Sequence, residues 1–189
     1  GTDLVIFAPT VSEMYPSGIT LNPEEQKGTF IQVLGPSSAL EGKSRPLFFR
    51  GVCTVVLKLF NAAEPTIAYF GQKDIQQCVV VQRMVSDLLL GLQVKVMPIV
   101  REDNGLAMSS RNQYLDENVK EKCSLIYKAL KKGVELSQSK SGVKGSEIVD
   151  EVVGLLNQEE LFEVDYVSVS EPVDLQDREA AIEKGDVLS

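Results

Sequence analysis

Histidine and tryptophan are both missing from the 189 residues of this sequence. Without histidine, these residues supply no imidazole for acid–base catalysis and no histidine ligand for a metal ion. Cysteine is scarce and odd in number, with Cys53, Cys78 and Cys123 far apart and embedded in apolar helical patterns. This arrangement favours buried, reduced thiols in a cytoplasmic protein over a disulfide framework. No apolar run reaches the length of a membrane helix, and the first residues show no signal-peptide pattern, so no membrane partner is expected.

Positive charge is in deficit, because 19 Lys and Arg residues oppose 27 Asp and Glu residues for a formal net charge of −8. A surface that binds nucleic acid needs clustered cations, so this balance argues against a nucleic-acid partner. A few local cations can still hold a small anionic ligand. Hydrophobic residues make up 43% of the chain and charged residues 24%, which is typical of a soluble globular protein with one large or two small domains.

The stretch between residues 66 and 100 has the periodicity of a strand, a helix and a second strand. TIAYF (66–70), rich in β-branched and aromatic residues, predicts the first strand, and residues 94–100 predict the second. A helix is predicted to begin near Asp74 and to end at Gly91, with polar residues, Gln76 among them, between its apolar positions. Those apolar positions are Val80, Val81, Met84, Val85 and Leu88. Short joints between these elements predict parallel strands, a right-handed crossover and an α/β fold.

Polar residues follow each of these two strands, and ligands collect at the carboxyl ends of parallel strands. After the first strand, Gly71 lets backbone approach an anion, Lys73 adds a positive charge, and Asp74 could cap the helix or hold a metal ion. On FGQKD alone, a plain glycine turn with a capping Asp and a solvated Lys is the favoured interpretation. The second cluster, 101–112, supplies hydroxyls and a guanidinium, and its plainer interpretation is a polar linker to a helix.

The flanking residues extend the alternation of strands and helices. Their composition predicts strands at 4–8, 29–34 and 164–169, and helical spacing predicts helices at 52–60, after 116 and at 148–156. Asp116 is the predicted N-cap of the second of these helices, and residues 138–146 form a predicted linker. We place a domain boundary between residues 100 and 115, with a first domain at 1–108 and a smaller α+β domain at 109–189.

Several motifs in this order resemble one enzyme family. FGQKDIQQ followed by VREDNGLAMSSRNQYL is similar to the signature of pantothenate synthetase, the pantoate–β-alanine ligase. The resemblance continues upstream through FAPTVSEMYP, LEGKSRP and FRGVCTVVLKLFN, spans most of residues 3 to 116, and is weak near VDYVSV. It implies a partial Rossmann-like parallel sheet, the nucleotidyl transferase fold of class I aminoacyl-tRNA synthetases. It also implies a homodimer that uses ATP and Mg²⁺ to join pantoate and β-alanine through a pantoyl adenylate, with AMP and pyrophosphate released.

The resemblance assigns site residues position by position. It places Phe70, Gly71, Lys73, Asp74, Val100, Met108, Ser109, Ser110 and Arg111 at the ATP site. Of these, Lys73, Ser109, Ser110 and Arg111 match catalytic residues, and Asp74 matches an acidic residue near phosphate or magnesium. The pantoate site is matched by Arg45, Val52, Val55, Val56 and Gln77. For the three valines, spacing alone predicts an ordinary core helix, and only the resemblance predicts a pocket wall.

The sequence also departs from the family pattern. The family's histidine-bearing HIGH-type segment has no counterpart here, and Leu47 stands after Arg45 and Pro46 where the family carries a histidine. The chain also stops at Ser189, before the family's closing region. We therefore expect a fragment of such an enzyme, with a companion N-terminal segment elsewhere, that binds anions weakly and makes no pantothenate alone. A degenerate relative that serves as an anion-binding or dimerisation module is the alternative.

Overall fold

The computed structural model describes residues 3–20, 22–139, 141–178 and 180–182. Within these ranges the helices are α1 Val11–Met14, α2 Glu41–Ser44, α3 Phe48–Ala63, α4 Ile75–Asp87, α5 Glu117–Ser139 and α6 Gly145–Leu156. The strands are β1 Ile67–Gly71 and β2 Gln93–Met97, and short 3-10 turns lie at 23–25, 36–38, 72–74 and 110–114. None of the helices in this part of the chain combines the length and apolar character that a bilayer crossing requires.

Strands β1 and β2 are parallel, with Ile67 opposite Gln93 and Gly71 opposite Met97, and α4 connects them. This confirms the predicted α/β unit, with strand bounds shifted by one to three residues at their ends. Because both strands run the same way, the polar residues that follow Gly71 and Met97 lie at the same edge of the sheet. The fold therefore brings the two predicted polar clusters to one end of the βαβ unit.

Helices α3 and α4 bury their apolar faces in one core with the sheet. Its buried members are Val33, Phe49, Cys53, Val56, Phe60, Val80, Val81 and Met84. Helix α3 ends where Glu64 takes the left-handed conformation (φ 45°, ψ 51°) before Pro65, which cannot continue a helix. The predicted helix at 52–60 is thus confirmed, and its buried valine and phenylalanine side chains pack in one core with α4.

Helices α5 and α6 pack on each other around a second core, made of Ala129, Val143, Ile148, Val152, Leu156 and Ile182. Asp116 caps α5 as expected, because its Oδ1 accepts a hydrogen bond from the Val119 backbone N–H at 2.8 Å. The linker is shorter than predicted, since α5 reaches Ser139 and α6 begins at Gly145. Residues 183–189 of the predicted second domain lie outside the described residues, and the boundary at 108 stays a prediction.

Three predicted strands are wrong: residues 4–8, 29–34 and 164–169 are extended or irregular without a ladder. Leu4, Val5 and Ile6 are 90%, 84% and 82% exposed, with no neighbouring strand in the described residues. The backbone N–H of Ile31 donates to the Thr54 hydroxyl on α3 instead of to a strand. β-branched content favours extended backbone, but a strand exists only where a partner strand pairs with it.

The predicted end of α4 at Gly91 is also wrong. The helix ends at Asp87, and Leu89 rather than a glycine adopts the left-handed conformation (φ 52°). Backbone hydrogen bonds from Leu88 to Met84 and from Leu90 to Val85 close the last turn. A glycine near the end of a periodic segment therefore identified the right region but the wrong residue.

Candidate functional site

The turn after β1 presents Lys73 and Asp74 to solvent. The two residues lie in the 3-10 turn at 72–74, with Lys73 Nζ 3.8 Å from Asp74 Oδ1 and side chains 42% and 64% exposed. Asp74 makes no side-chain capping bond to α4, so its carboxylate is not used as a helix cap. A Cβ added to Gly71 would meet nothing within 4 Å, which leaves open space over the turn. The turn is therefore accessible to a ligand.

A cavity of about 540 Å³ adjoins this turn. Gln72, Lys73 and Ile75 line it from the β1 side, and Pro98, Ile99 and Arg101 line it from the end of β2. The opposite wall comes from α5, α6 and residues 167–170. The sheet edge thus brings Lys73 and a second cation, Arg101, to one cavity, as expected for the carboxyl ends of parallel strands.

Arg101 was not among the predicted site residues. Its guanidinium lies 3.7 Å from the centroid of the Tyr127 ring on α5, and its Nη1 donates to the Gly105 carbonyl at 3.1 Å. Stacking on an aromatic ring and one backbone bond hold this cation in place while leaving further N–H donors. Its position as the first polar residue after the second strand was the signal that could have identified it.

Residues 100–108 form a tight hairpin after β2. Arg101 pairs with Ala107, and the Met108 N–H donates to the Val100 carbonyl at 2.9 Å. Gly105 is required at the tip, since its φ is 94° and an added Cβ would lie 2.7 Å from Tyr127 Cδ1. The hairpin places Val100 and Met108 side by side, and they are 68% and 55% exposed. This exposed apolar pair could receive the flat face of a base.

The three polar residues after the hairpin form one short turn. Ser109 Oγ accepts a hydrogen bond from the Arg111 backbone N–H at 3.2 Å and so begins the 3-10 turn at 110–114. Ser110 and Arg111 are exposed. None of the three lines the cavity beside Lys73. Their predicted approach to the phosphates alongside Lys73 is not tested by this arrangement.

A second cavity, of about 700 Å³, lies at the start of α3. Arg45, Val52 and Val55 line it, three of the five residues predicted for pantoate. The Arg45 guanidinium lies 3.8 Å from the centroid of the Phe48 ring. The other two predicted residues lie elsewhere, because Val56 is buried in the core and Gln77, half-buried on α4, is not in the lining.

Arg50 is a second cation at this cavity that the predicted site omitted. Its guanidinium lies 4.2 Å from the Phe30 ring centroid, and its Nη1 donates to Gln26 Oε1 at 2.7 Å. No carboxylate within the described residues forms an ion pair with Arg45 or Arg50. Two guanidinium groups at the edge of an apolar cavity suit a small carboxylate with an apolar body.

Phe70 and Asp74 are the remaining predicted site residues. Phe70 is half-buried and meets Phe60 edge to face, with centroids 6.4 Å apart, so it also anchors β1 to α3. Across the described ranges, no group of three or more Asp, Glu or Cys side chains could enclose a metal ion. Asp74 is a single exposed carboxylate and does not form a closed metal site, so a metal ion bound there would need ligands from elsewhere.

Comparison with known proteins identifies the family. The profile of the family described as Pantoate-beta-alanine ligase matches residues 1–189. The chain belongs to the pantoate–β-alanine ligase family. It is 47% identical to the Pantoate--beta-alanine ligase of Saccharomyces cerevisiae over 173 residues, covering 88% of this chain and 56% of that protein. The chain therefore spans little more than half the length of this curated relative.

Solved structures of the family share the fold. The pantothenate synthetase from Thermus thermophilus superposes with a TM-score of 0.79 and 39% identity over 92% of this chain and 60% of that one. The pantoate-beta-alanine ligase from Francisella tularensis, complexed with beta-gamma ATP and beta-alanine, gives a TM-score of 0.56 and 31% identity over 76% of this chain and 50% of that one. This chain thus has the nucleotidyl transferase fold of pantothenate synthetases.

Proposed function

We propose that this chain is part of an enzyme that joins pantoate and β-alanine to give pantothenate, with ATP converted to AMP and pyrophosphate. The observation that carries the proposal is the open turn at the carboxyl end of β1, where Lys73 faces a cavity that it shares with Arg101. Family membership supplies the reaction, and the Francisella relative's complex with an ATP compound and β-alanine supports these substrates.

The proposed ATP site spans the turn after β1 and the hairpin after β2. Gly71 leaves room for phosphates above the turn, and Lys73 offers them a positive charge. Val100 and Met108 present an exposed apolar surface to the adenine. We assign Phe70, Asp74, Ser109, Ser110 and Arg111 to the same site, the last three by closure of their turn over the phosphates.

The pantoate site is proposed at the cavity before α3. Its apolar wall, Val52 and Val55, suits the dimethyl carbon of pantoate, and the guanidinium groups of Arg45 and Arg50 suit its carboxylate. Val56 supports this wall from the core behind it. Gln77 is proposed to hydrogen-bond pantoate from α4.

The chemistry proceeds in two steps. A pantoate carboxylate oxygen forms a bond to the α-phosphorus of ATP as the bond to pyrophosphate breaks, which gives the acyl adenylate. The neutral amine of β-alanine then forms a bond to the acyl carbon, AMP leaves, and the amine proton is lost to solvent. Lys73 stabilises the negative charge that develops on the phosphates during the first step. Mg²⁺, with Asp74 as its protein ligand, would supply further charge neutralisation.

Association and location are also proposals. The exposed side chains of Leu4, Val5 and Ile6 provide an apolar surface that a homodimer would cover. Free thiols at Cys53 and Cys78, both buried, suit the reducing cytoplasm. Sedimentation of the natural protein tests the dimer, since a monomer at micromolar concentration would contradict it.

Loss of the Lys73 charge tests the proposed function directly. In the natural protein that carries this sequence, Lys73→Ala should lower pyrophosphate release with ATP, Mg²⁺, pantoate and β-alanine by roughly 10²–10³-fold, as for one lost charge-stabilising donor. The melting temperature should change little, because the side chain is 42% exposed. Lys128→Ala, an exposed lysine on α5 outside the cavity, is the matched control. Equal turnover by the two variants would contradict the assignment of Lys73.

A further inference from the structure

Gln76 is buried beneath the chain segment that leads to the second cavity. It lies in the first turn of α4, two residues after Asp74, and only 6% of it is exposed. Its Nε2 donates to the Pro36 carbonyl at 2.9 Å and to the Ala39 carbonyl at 2.6 Å, and its Oε1 accepts from the Glu41 N–H at 3.1 Å. Both amide hydrogens and the amide oxygen are thus used on residues 35 to 40 positions earlier in the chain.

The segment that Gln76 holds, residues 36–41, has a strained backbone conformation that its own residue types do not favour. Leu40 adopts φ 45° and ψ −121°, a conformation that is strained for a residue with a side chain. Gly42 packs so closely that an added Cβ would lie 1.9 Å from the Ser37 carbonyl oxygen. Such a conformation persists only when surrounding groups over-determine it. The three hydrogen bonds of Gln76 provide that restraint from outside the segment.

This segment continues directly into the wall of the cavity. The Arg45 backbone N–H donates to the Glu41 carbonyl at 2.9 Å and closes the single turn of α2. Arg45 to Phe48 then line the cavity at the start of α3. Hydrogen bonds therefore connect the Gln76 side-chain amide to the Glu41 backbone and the Glu41 backbone to that of Arg45, whose guanidinium stacks on Phe48.

We propose that Gln76 is a positioning residue for the carboxylate substrate: it holds residues 36–41 so that Arg45 points into the pocket before α3. This inference rests on the proposed function, because it takes pantoate as the ligand of Arg45. Gln76 touches no substrate. It lies on the helix that begins at the Lys73–Asp74 turn, so one helix terminus supports both the phosphate end and the carboxylate end of the site.

Replacement of Gln76 by Glu separates positioning from simple packing, because the two side chains have the same shape. An ionised carboxylate has no donor for the Pro36 and Ala39 carbonyls. Gln76→Glu should therefore raise KM for pantoate by roughly 10- to 100-fold near neutral pH, the size of effect that a displacement of about 1 Å produces. The KM for ATP should stay within about twofold of wild type.

The separation of KM from kcat supplies a readout that a merely structural role would not move. Loss of positioning raises KM for pantoate while kcat at saturating pantoate stays within about threefold of wild type, whereas partial unfolding lowers kcat by removing active enzyme and leaves KM unchanged. Gln82→Glu, the same substitution at an exposed position of α4, is the matched control and should leave both KM values unchanged.

Hydrogen exchange tests the restraint without relying on turnover. In Gln76→Met, which keeps the length of the side chain but makes no such hydrogen bonds, backbone amides from 38 to 45 should exchange at least about tenfold faster, while amides in α6 exchange as before. Faster exchange with an unchanged KM for pantoate would overturn the positioning role and leave a structural one. Unchanged exchange would overturn the restraint itself. If wild type makes no pantothenate, the proposed function fails and the inference about pantoate fails with it, whereas the exchange result still decides the restraint.

Discussion

The three cysteine side chains differ in their access to solvent. Cys53 and Cys78 are fully buried, and Cys123 on α5 is partly exposed. Burial raises the pKa of the Cys53 thiol to about 11, and burial together with the nearby charge of Asp74 raises the pKa of Cys78. Desolvation also raises the pKa of Cys123. Because the thiolate is the reactive form, all three should be slow nucleophiles, and exposure should set their order.

We expect iodoacetamide to modify Cys123 well before Cys53 or Cys78 in the native protein. Peptide mapping by mass spectrometry over a time course measures the order, and labelling in urea should make all three equally reactive. A Cys123→Ser variant should then show almost no labelling under native conditions. Native labelling of Cys53 at the rate of Cys123 would contradict the burial of the α3 face.

At the scale of elements, helices α3 and α4, which share one core with the sheet, end in different ways. Helix α3 ends at Ala63, with Glu64 as its cap immediately before Pro65, as a proline predicts. Helix α4 ends without proline or glycine at its left-handed position, where Leu89 has φ 52° and is 89% exposed. A leucine gains no burial there and bears the steric cost of the left-handed region. The left-handed conformation of Leu89 therefore destabilises the end of α4.

Leu89→Gly should raise the free energy of unfolding by about 1 kcal/mol, because glycine adopts positive φ without a Cβ clash. Urea denaturation monitored by circular dichroism measures the change. Leu88→Gly is the control, since Leu88 has φ −90° and should lose stability when replaced. A decrease in stability for Leu89→Gly would show that the side chain contributes contacts that outweigh the backbone strain.

Across the whole molecule, a hydrogen bond joins regions that are 125 residues apart: Tyr166 Oη donates to Glu41 Oε1 at 3.2 Å. Glu41 is also the residue whose N–H bonds to Gln76, so this contact reaches the segment before the second cavity. Burial, followed by the Glu41 charge, raises the pKa of Tyr166 above its ordinary value of about 10. The stabilising contribution is thus fully present below about pH 10 and is lost as the pH rises through the raised pKa.

Tyr166→Phe should lower the free energy of unfolding by roughly 0.5–1 kcal/mol at neutral pH, the low end for a hydrogen bond since the residue is 46% exposed. The deficit relative to wild type should shrink as the pH rises above about 10, through the raised pKa of the wild-type tyrosine. Urea midpoints across this range measure it. Tyr114→Phe, at a residue that is 80% exposed, should show neither effect. Equal stability of Tyr166→Phe and wild type at every pH would mean that Tyr166 contributes packing alone.

Local pattern predicted much of the fold, whereas the roles of the predicted site residues stay predictions. The βαβ unit, the helix at 52–60 and the Asp116 cap follow from periodicity and capping chemistry, which act over a few residues. Because strand ends meet at one edge of a parallel sheet, the same pattern predicted two polar clusters at that edge, where Lys73 and Arg101 line one cavity. The motifs added Arg45, Val52 and Val55, which do line one cavity.

Local pattern could not predict contacts between residues that are distant in the sequence. Gln76 occupied a polar position of a helical repeat, yet it is buried, because carbonyl groups 37 and 40 residues earlier accept its hydrogen bonds. Arg50 and Arg101 became cavity cations through stacking on Phe30 and Tyr127. The apolar run at 4–8 failed as a strand because no partner strand pairs with it in the described residues. Periodicity depends on neighbours along the chain, whereas the partner of a buried polar group or a strand edge is chosen by folding in three dimensions.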